Sequence, residues 1–328
     1  QSSSRNKILI MKEYLKLLGW ESLLLVLFGM LMLRTQILIP FYQSYFPFTI
    51  ITFVDFLAFT FGSVFLMAAM NVVCSYYDGK MLDIINGNKT ESTEQKNKYK
   101  MFWLLAGIGL AIHIFIGIKN NAWQASAISV VFIFGAYFYA LKYKREYLIG
   151  NILISLLYAI ILFLPLFLEL FAFKGFESPM PIRIATEGIQ DLLYIFLYLG
   201  AYVFLLTFIR DLTVDLANLE DNKKHELITF PVKEGYKTTK LVLTISSLLF
   251  IALNVWFAYK FYYSMDSIHI IFIGIIAILP IIYYIIKLYR SKLQMDYAML
   301  YQILGFLYIS LLFIVFFCGD IFRLDAVV

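Results

Sequence analysis

Long apolar runs broken by short polar stretches make up almost the whole chain. Nine apolar segments can be drawn, at about 17–38, 48–76, 101–118, 123–141, 147–172, 189–209, 239–260, 268–287 and 297–318. Most reach the roughly 20 residues that cross a bilayer as a helix. Their apolar positions do not alternate as those of a transmembrane barrel do. The pattern predicts an all-α, polytopic membrane protein with nine transmembrane helices in one integral-membrane domain, 1–328. The two longest polar connections are 77–100 and 210–238, with a third at 173–188 that carries Pro179 and Pro181. Residues 1–10 read as a flexible tail, and no cleavable signal-peptide pattern is visible there.

Composition agrees: 62% of residues are hydrophobic, 18% aromatic and 15% charged, against about half apolar and a quarter charged in a soluble globule. Lysines and arginines are sorted along the chain. Only Arg34, Lys119, Lys174, Arg183, Lys260 and Arg323 fall on one side of the nine-helix arrangement, and all others fall on the side of the N-terminus. The positive-inside rule then puts the N-terminus in the cytoplasm, the C-terminus on the opposite side, and both long polar loops in the cytoplasm. The expected location is the cell's inner membrane. The net charge of +5 follows from this sorting and does not mark a nucleic-acid binder. Cys74 and Cys318 lie far apart in apolar surroundings and read as buried thiols.

The most polar stretch, Arg210 to Val232, begins where an apolar run ends. On a helix of about 100° per residue, Asp211, Asp215, Asn218 and Asn222 fall within a stripe of roughly 60°. Oxygen ligands lined up at a membrane surface suit a hard cation such as Mg2+ and, through it, a diphosphate. The same stretch also reads as a solvated amphipathic turn. In the earlier polar stretch, Asn71, Ser75 and Asp78 share a helix face, with Cys74 beside them. Asp83 would lie about 140° from Asp78 on an unbroken helix, and Gly79 offers a break that brings it back. An Asn inside a span is a functional residue or a helix–helix contact. Lys142, Lys144 and Arg145 suit phosphate oxygens or act as topological anchors. His113, inside the third span, reads as an interhelical hydrogen-bonding residue.

Taken together, these stretches are similar to the UbiA superfamily of intramembrane prenyltransferases, across most of the chain. Residues 210–232 align without a gap to that family's second motif, roughly R-E-x-x-K-D-x-x-D-x-x-G-D followed by T-L-P. Arg210, Asp215, Thr229 and Pro231 match it, and Asp211 stands for the Glu. Tyr137, Leu141-Lys142 and Gly150-Asn151 resemble its Tyr…Leu-Lys-Arg…Gly-Asn pattern, and Lys12 to Leu24 resembles its opening. The style resembles the branch that moves a geranylgeranyl group onto a glycerol-phosphate lipid. Departures are concentrated at the acidic positions. Against the first motif, N-x-x-x-D-x-x-x-D, Cys74 takes the Asn position, Asp78 is kept, and Leu82 takes the last Asp, with Asp83 one place late. In the second motif Asn218 and Asn222 replace Asp, Ala217 replaces an acidic residue, and Asp221 replaces Gly.

The resemblance implies a nine-helix UbiA-like bundle that transfers a prenyl group from a prenyl diphosphate to a membrane-soluble lipid or aromatic acceptor. Asp78, Asp83, Asp211 and Asp215 would hold Mg2+, with Asn218 and Asn222 as neutral helpers. Lys142, Arg145 and Arg210 would steady the diphosphate. Asn71, Cys74 and Ser75 would be polar pocket residues. Fewer charged ligands imply a single Mg2+ ion or none. The alternative is a non-catalytic membrane subunit of the same fold that binds lipid or a protein partner.

Overall fold

The computed structural model describes residues 17–45, 51–85, 92–173, 182–225, 227–291, 294–319 and 321–322. The predicted tail at 1–10 and the opening motif before residue 17 lie outside them. Nine helices among the described residues are long and apolar enough to cross a membrane. The chain folds as two compact units: Gln1–Leu31, Ile51–Lys142 and Leu164–Gly175 form one, and Met32–Ile50, Tyr143–Phe163 and Phe176–Val328 the other.

Helix α1 (Trp20–Leu33) runs into a π turn (Arg34–Leu38) and then α2 (Ile39–Tyr45). In the first unit, α3 (Phe53–Ile85) packs against α4 (Thr93–Lys119) and α5 (Trp123–Leu141). The Ser92 hydroxyl caps α4 by accepting from the Gln95 N–H at 3.2 Å, satisfying one of the donors a helix start leaves open. Helices α3 and α4 meet where both lack a side chain. A Cβ added at Gly109 would lie 2.9 Å from the Gly62 carbonyl oxygen. Beside this contact His113 is fully buried and stacks on Phe59 at 3.9 Å between ring centroids. Its Nε2 lies 2.9 Å from the Phe59 carbonyl oxygen and 3.2 Å from Ser63 Oγ, and its Nδ1 lies 2.5 Å from Ser129 Oγ. One imidazole thus ties three helices together where backbone groups are already consumed.

The first unit corrects one expectation. Helix α3 does not break at Gly79 but continues to Ile85, so Asp83 keeps the angular offset of an unbroken helix from Asp78. The missing side chain serves close approach instead: a Cβ on Gly79 would overlap the Gln95 amide of α4.

After a 3-10 turn (Tyr143–Arg145) and strand β1 (Glu146–Tyr147), α6 covers Ile149–Phe173 with Pro165 inside it. Its residues up to Phe163 belong to the second unit. There the longest helix, α7 (Ile182–Ala217), is followed by the short α8 (Leu219–Lys224), β2 (Ile228–Thr229), α9 (Phe230–Lys260) and α10 (Ser267–Ile273). A second π turn (Gly274–Ile278) leads into α11 (Leu279–Arg290), and α12 (Gln294–Cys318) follows. Helix α7 packs on α9 and α12 and buries Tyr198 and Tyr202 completely. Those phenols find partners within the bundle: Tyr198 donates to Asn254 Oδ1 at 2.8 Å, and Tyr202 lies 2.8 Å from Ser310 Oγ. The two strands pair in parallel, Glu146 with Ile228 and Tyr147 with Thr229.

The glycine contact between α3 and α4 is testable. Gly109→Ala is expected to destabilise the protein by about 1–3 kcal/mol through overpacking. Gly107→Ala, where an added Cβ meets open space, is expected to be neutral. Thermal unfolding of both variants in the same detergent gives the comparison.

Candidate functional site

The polar centre of the second unit is a three-residue cluster. Asp211 and Asp215 stand four residues apart on α7, one turn above the other on a single face. Asn151, in the first turn of α6, donates its Nδ2 to Asp211 Oδ2 at 2.7 Å and to Asp215 Oδ2 at 2.9 Å. Two carboxylates at this spacing repel each other on an isolated helix, and in a dry bundle the repulsion grows. The amide N–H2, the positive end of the Asn151 dipole, lies between them and offsets it. Lys144, seven residues earlier, acts electrostatically on both carboxylates.

A local scaffold sets Asn151 and Lys144 in place. Gly150 lets the chain turn tightly into α6, because a Cβ there would lie 2.5 Å from the Tyr143 carbonyl oxygen. Between Lys144 and Asn151 runs β1, hydrogen-bonded to β2. The Tyr147 hydroxyl donates to Glu234 Oε1 at 2.9 Å, which holds the phenol above its ordinary titration range. Lys233 Nζ sits 4.7 Å from the centre of the same ring, and Phe230 packs against it at 5.1 Å. Gly235 (φ 80°) supplies the left-handed turn that lets Phe230–Glu234 lie against β1 before α9 continues.

The cluster fits a hard cation. All its candidate donors are oxygens, and Asn151 Oδ1 is buried with no hydrogen-bond partner; Asn151 itself is 2% exposed. Turning the amide end for end would bring that oxygen to the carboxylates, as a cation between them requires. Among the described residues no three His, Cys, Asp or Glu side chains form one metal-binding group. The set in this unit is therefore two carboxylates and one amide oxygen.

The predicted residues divide as follows. Asp211 and Asp215 come together. Asn218 and Asn222 do not extend their stripe as one helix, because α7 ends at Ala217 and Asn218 (φ −93°, ψ 14°) leaves helical geometry before α8 begins. Asp221 is spent on an exposed pair with Lys224 at 3.1 Å. Arg210 points elsewhere: its Nη2 donates to the Tyr301 hydroxyl of α12, and its guanidinium carbon lies 4.7 Å from the Tyr301 ring centre and 5.4 Å from that of Tyr308. Arg145 is half-buried and Lys142 exposed. In the first unit Cys74, Ser75, Asp78 and Asp83 are half-buried along α3. Asn71 is engaged in a helix contact, donating to Leu18 O at 2.7 Å and Ser22 Oγ at 2.9 Å.

Sequence reasoning places Asn151 only within a Gly-Asn pattern and does not count it as a site residue, whereas Lys144 is named there as suited to phosphate oxygens. The available signal is a lone Asn at the entry of an otherwise apolar helix, which has to be hydrogen-bonded when buried.

A mainly helical membrane protein whose longest described helix carries an oxygen-donor cluster is the class of protein defined here. The UbiA prenyltransferase family model matches residues 38–312, and the chain belongs to that family as an integral membrane protein. It is 25% identical over 186 residues to digeranylgeranylglyceryl phosphate synthase of Methanobrevibacter smithii, a match covering 54% of this chain and 58% of that one. A solved digeranylgeranylglyceryl phosphate synthase shares the fold with a TM-score of 0.60 at 22% identity, over 95% of this chain and 98% of the other. A UbiA homologue from Archaeoglobus fulgidus bound to DMAPP and Mg2+ shares it with a TM-score of 0.51 at 16% identity, over 91% and 98% of the two chains.

Asn151→Ala is expected to destabilise the protein by about 0.5–1.5 kcal/mol, because it removes the amide donor shared by two half-buried carboxylates. Chemical or thermal unfolding at neutral pH without divalent cations reads the effect directly.

Proposed function

We propose that this protein is a prenyltransferase that moves a prenyl group from a prenyl diphosphate to a membrane-soluble lipid or aromatic acceptor. The observation that carries this reading is the Asp211–Asn151–Asp215 cluster at the end of α7, two half-buried carboxylates on one buried amide. Two acidic groups held together in a membrane protein, with a basic residue beside them, suit a diphosphate brought in with a cation. The ligands bound by the Archaeoglobus homologue, DMAPP and Mg2+, are of that kind.

Asp211, Asp215 and Asn151 Oδ1 would hold Mg2+, which when bound would neutralise the leaving diphosphate. Lys144, with Lys142 and Arg145, attracts the phosphate oxygens. The allylic carbon–oxygen bond of the donor breaks, the diphosphate keeps the electron pair, and the acceptor nucleophile bonds to the prenyl carbon and loses its proton. The apolar bundle keeps water from competing for that carbon. The family resemblance implies that Asp78 and Asp83 of α3 would also be metal residues. The reaction is proposed to face the cytoplasm from a cell's inner membrane, with the N-terminus cytoplasmic and the C-terminus opposite.

The replacement of acidic motif positions by Cys74 and Leu82 favours a second reading, a non-catalytic membrane subunit that binds lipid or a protein partner. Purified protein in nanodiscs, given radiolabelled geranylgeranyl diphosphate, separates the two. The enzyme reading expects Mg2+-dependent binding that chelation abolishes and added Mg2+ restores. Asp211→Asn and Asp215→Asn are expected to weaken it by at least about 10-fold, since loss of even the partners behind metal ligands typically costs about 10–100-fold, and Asp78→Asn and Asp83→Asn form a separate arm. Absence of diphosphate binding at any chain length leaves only the subunit reading.

A further inference from the structure

Helix α7 divides its polar residues between two sides, α6 on one and α11 with α12 on the other. Asp211 and Asp215 meet Asn151 of α6. Thr207, Arg210 and Thr213, spaced three apart, turn to the other side. There Thr207 lies 2.7 Å from the Tyr308 hydroxyl and Thr213 lies 2.6 Å from that of Tyr284. Between them the Arg210 guanidinium is held by Tyr301 and by the faces of Tyr301 and Tyr308. Tyr158 of α6 also lies within electrostatic reach.

The position of this guanidinium is unusual for a membrane arginine. Arg210 is about 10 Å from the end of α7 at 1.5 Å per residue, close enough to extend toward the headgroups as long basic side chains usually do. It lies instead between Tyr301 and Tyr308, which are about 10 Å and about 21 Å along α12 from its first residue. Among the described residues it forms no ion pair. Its cation is stabilised by ring faces and phenol oxygens, and a guanidinium carries five N–H donors, more than these partners use. The guanidinium is half-buried and has Asp211 within electrostatic reach, but no described carboxylate bonds to it, so its unused donors are open to an anionic ligand.

We propose that Arg210, Tyr301 and Tyr308 form a second anion site, which takes the head group of the acceptor when that head carries a phosphate or similar oxyanion. The assignment rests on the prenyltransferase reading above and departs from the expectation that Arg210 grips the donor diphosphate. The two sides of α7 differ in what they attract. The carboxylate side repels an anion until a cation intervenes, so a diphosphate that travels with Mg2+ belongs there. The Arg210 side attracts an anion without any metal. A transferase must hold two substrates side by side, and one helix offering a metal-dependent and a metal-independent anion site meets that need. Tyr301 orients the guanidinium as a positioning residue, and Arg210 contacts the acceptor.

The test uses the full chain in nanodiscs, with two acceptor probes that differ only in charge: a prenylglycerol phosphate and the corresponding neutral prenylglycerol. Binding of each is measured in the presence of chelator, and binding of geranylgeranyl diphosphate is measured with Mg2+. The wild type is expected to prefer the phosphate lipid by at least about tenfold, the usual scale for a charge-assisted contact. Arg210→Gln and Tyr301→Phe are expected to reduce that preference while leaving diphosphate binding in place. Arg210→Lys, which keeps the charge but loses the fork, should restore only part of it. If Arg210→Gln does not fold, Tyr301→Phe and Arg210→Lys carry the same comparison. Equal binding of the two lipids by the wild type overturns the proposal. So does loss of diphosphate binding in the Arg210 variants with acceptor preference intact, which would return Arg210 to the donor. Failure of the wild type to bind diphosphate would count against the enzyme reading alone, because the acceptor arm is read without turnover or metal.

Discussion

Two half-buried carboxylates one helical turn apart, bridged by one buried amide, are the constraint around which the second unit is built. Asp211 and Asp215 are only half-buried, but they stand one turn apart on one helix face. Their like charges therefore have to be met locally, and Asn151 meets them through its N–H2 at 2.7 and 2.9 Å. That requirement reaches back along the chain. Asn151 has to enter α6 at a fixed height, so Gly150 allows the tight approach to Tyr143 and the β1–β2 ladder fixes the segment before it. It also reaches forward: α7 has to stay helical past the apolar run, to Ala217, so that both acids share a face.

The same helix keeps two neighbouring opposite charges from pairing directly, although they act on each other electrostatically. Arg210 and Asp211 are neighbours in sequence, yet about 100° of rotation separates them. The guanidinium rests on tyrosine faces while the carboxylate takes an amide. Aromatic rings do for the cation what amide hydrogens do for the anion, and each face of α7 stays separately available. A direct Arg210–Asp211 pair would have quenched both.

Much of this is legible in the apolar pattern. The positions of the spans follow from run length, and the UbiA motifs place Asp211 and Asp215 on one helix face. What the pattern misses lies where tertiary contact overrides local rules. Glycine is a poor helix former, so Gly79 reads as a break in α3, but its bare surface serves packing against Gln95. The Asp211–Asn222 stripe reads as one helix, and Asn218 interrupts it. Motif position groups Arg210 with the diphosphate residues, since nothing in sequence shows that Tyr301 and Tyr308, some ninety residues later, draw it aside. Asn151 is visible only as half of a Gly-Asn pair, because its importance comes from two acids about sixty residues away in sequence.

Both π turns sit just ahead of a proline, Pro40 after Arg34–Leu38 and Pro280 after Gly274–Ile278. A proline clashes with the carbonyl four residues before it and cannot bond to it. In each case that carbonyl, of Gln36 or Ile276, belongs to the widened turn, which has room to relieve the clash. The first of these carbonyls is closely approached: Gly319 lies so near the Gln36 oxygen that no Cβ would fit. A widened turn also holds one more residue than an ordinary one, which advances the phase of everything that follows. In α11 that phase turns Ile281, Tyr284 and Leu288 inward and lets Tyr284 meet Thr213. Losing a single residue from 274–278 would rotate α11 by about 100° and turn that phenol out of the bundle, so in this segment the spacing between residues carries as much information as their identities.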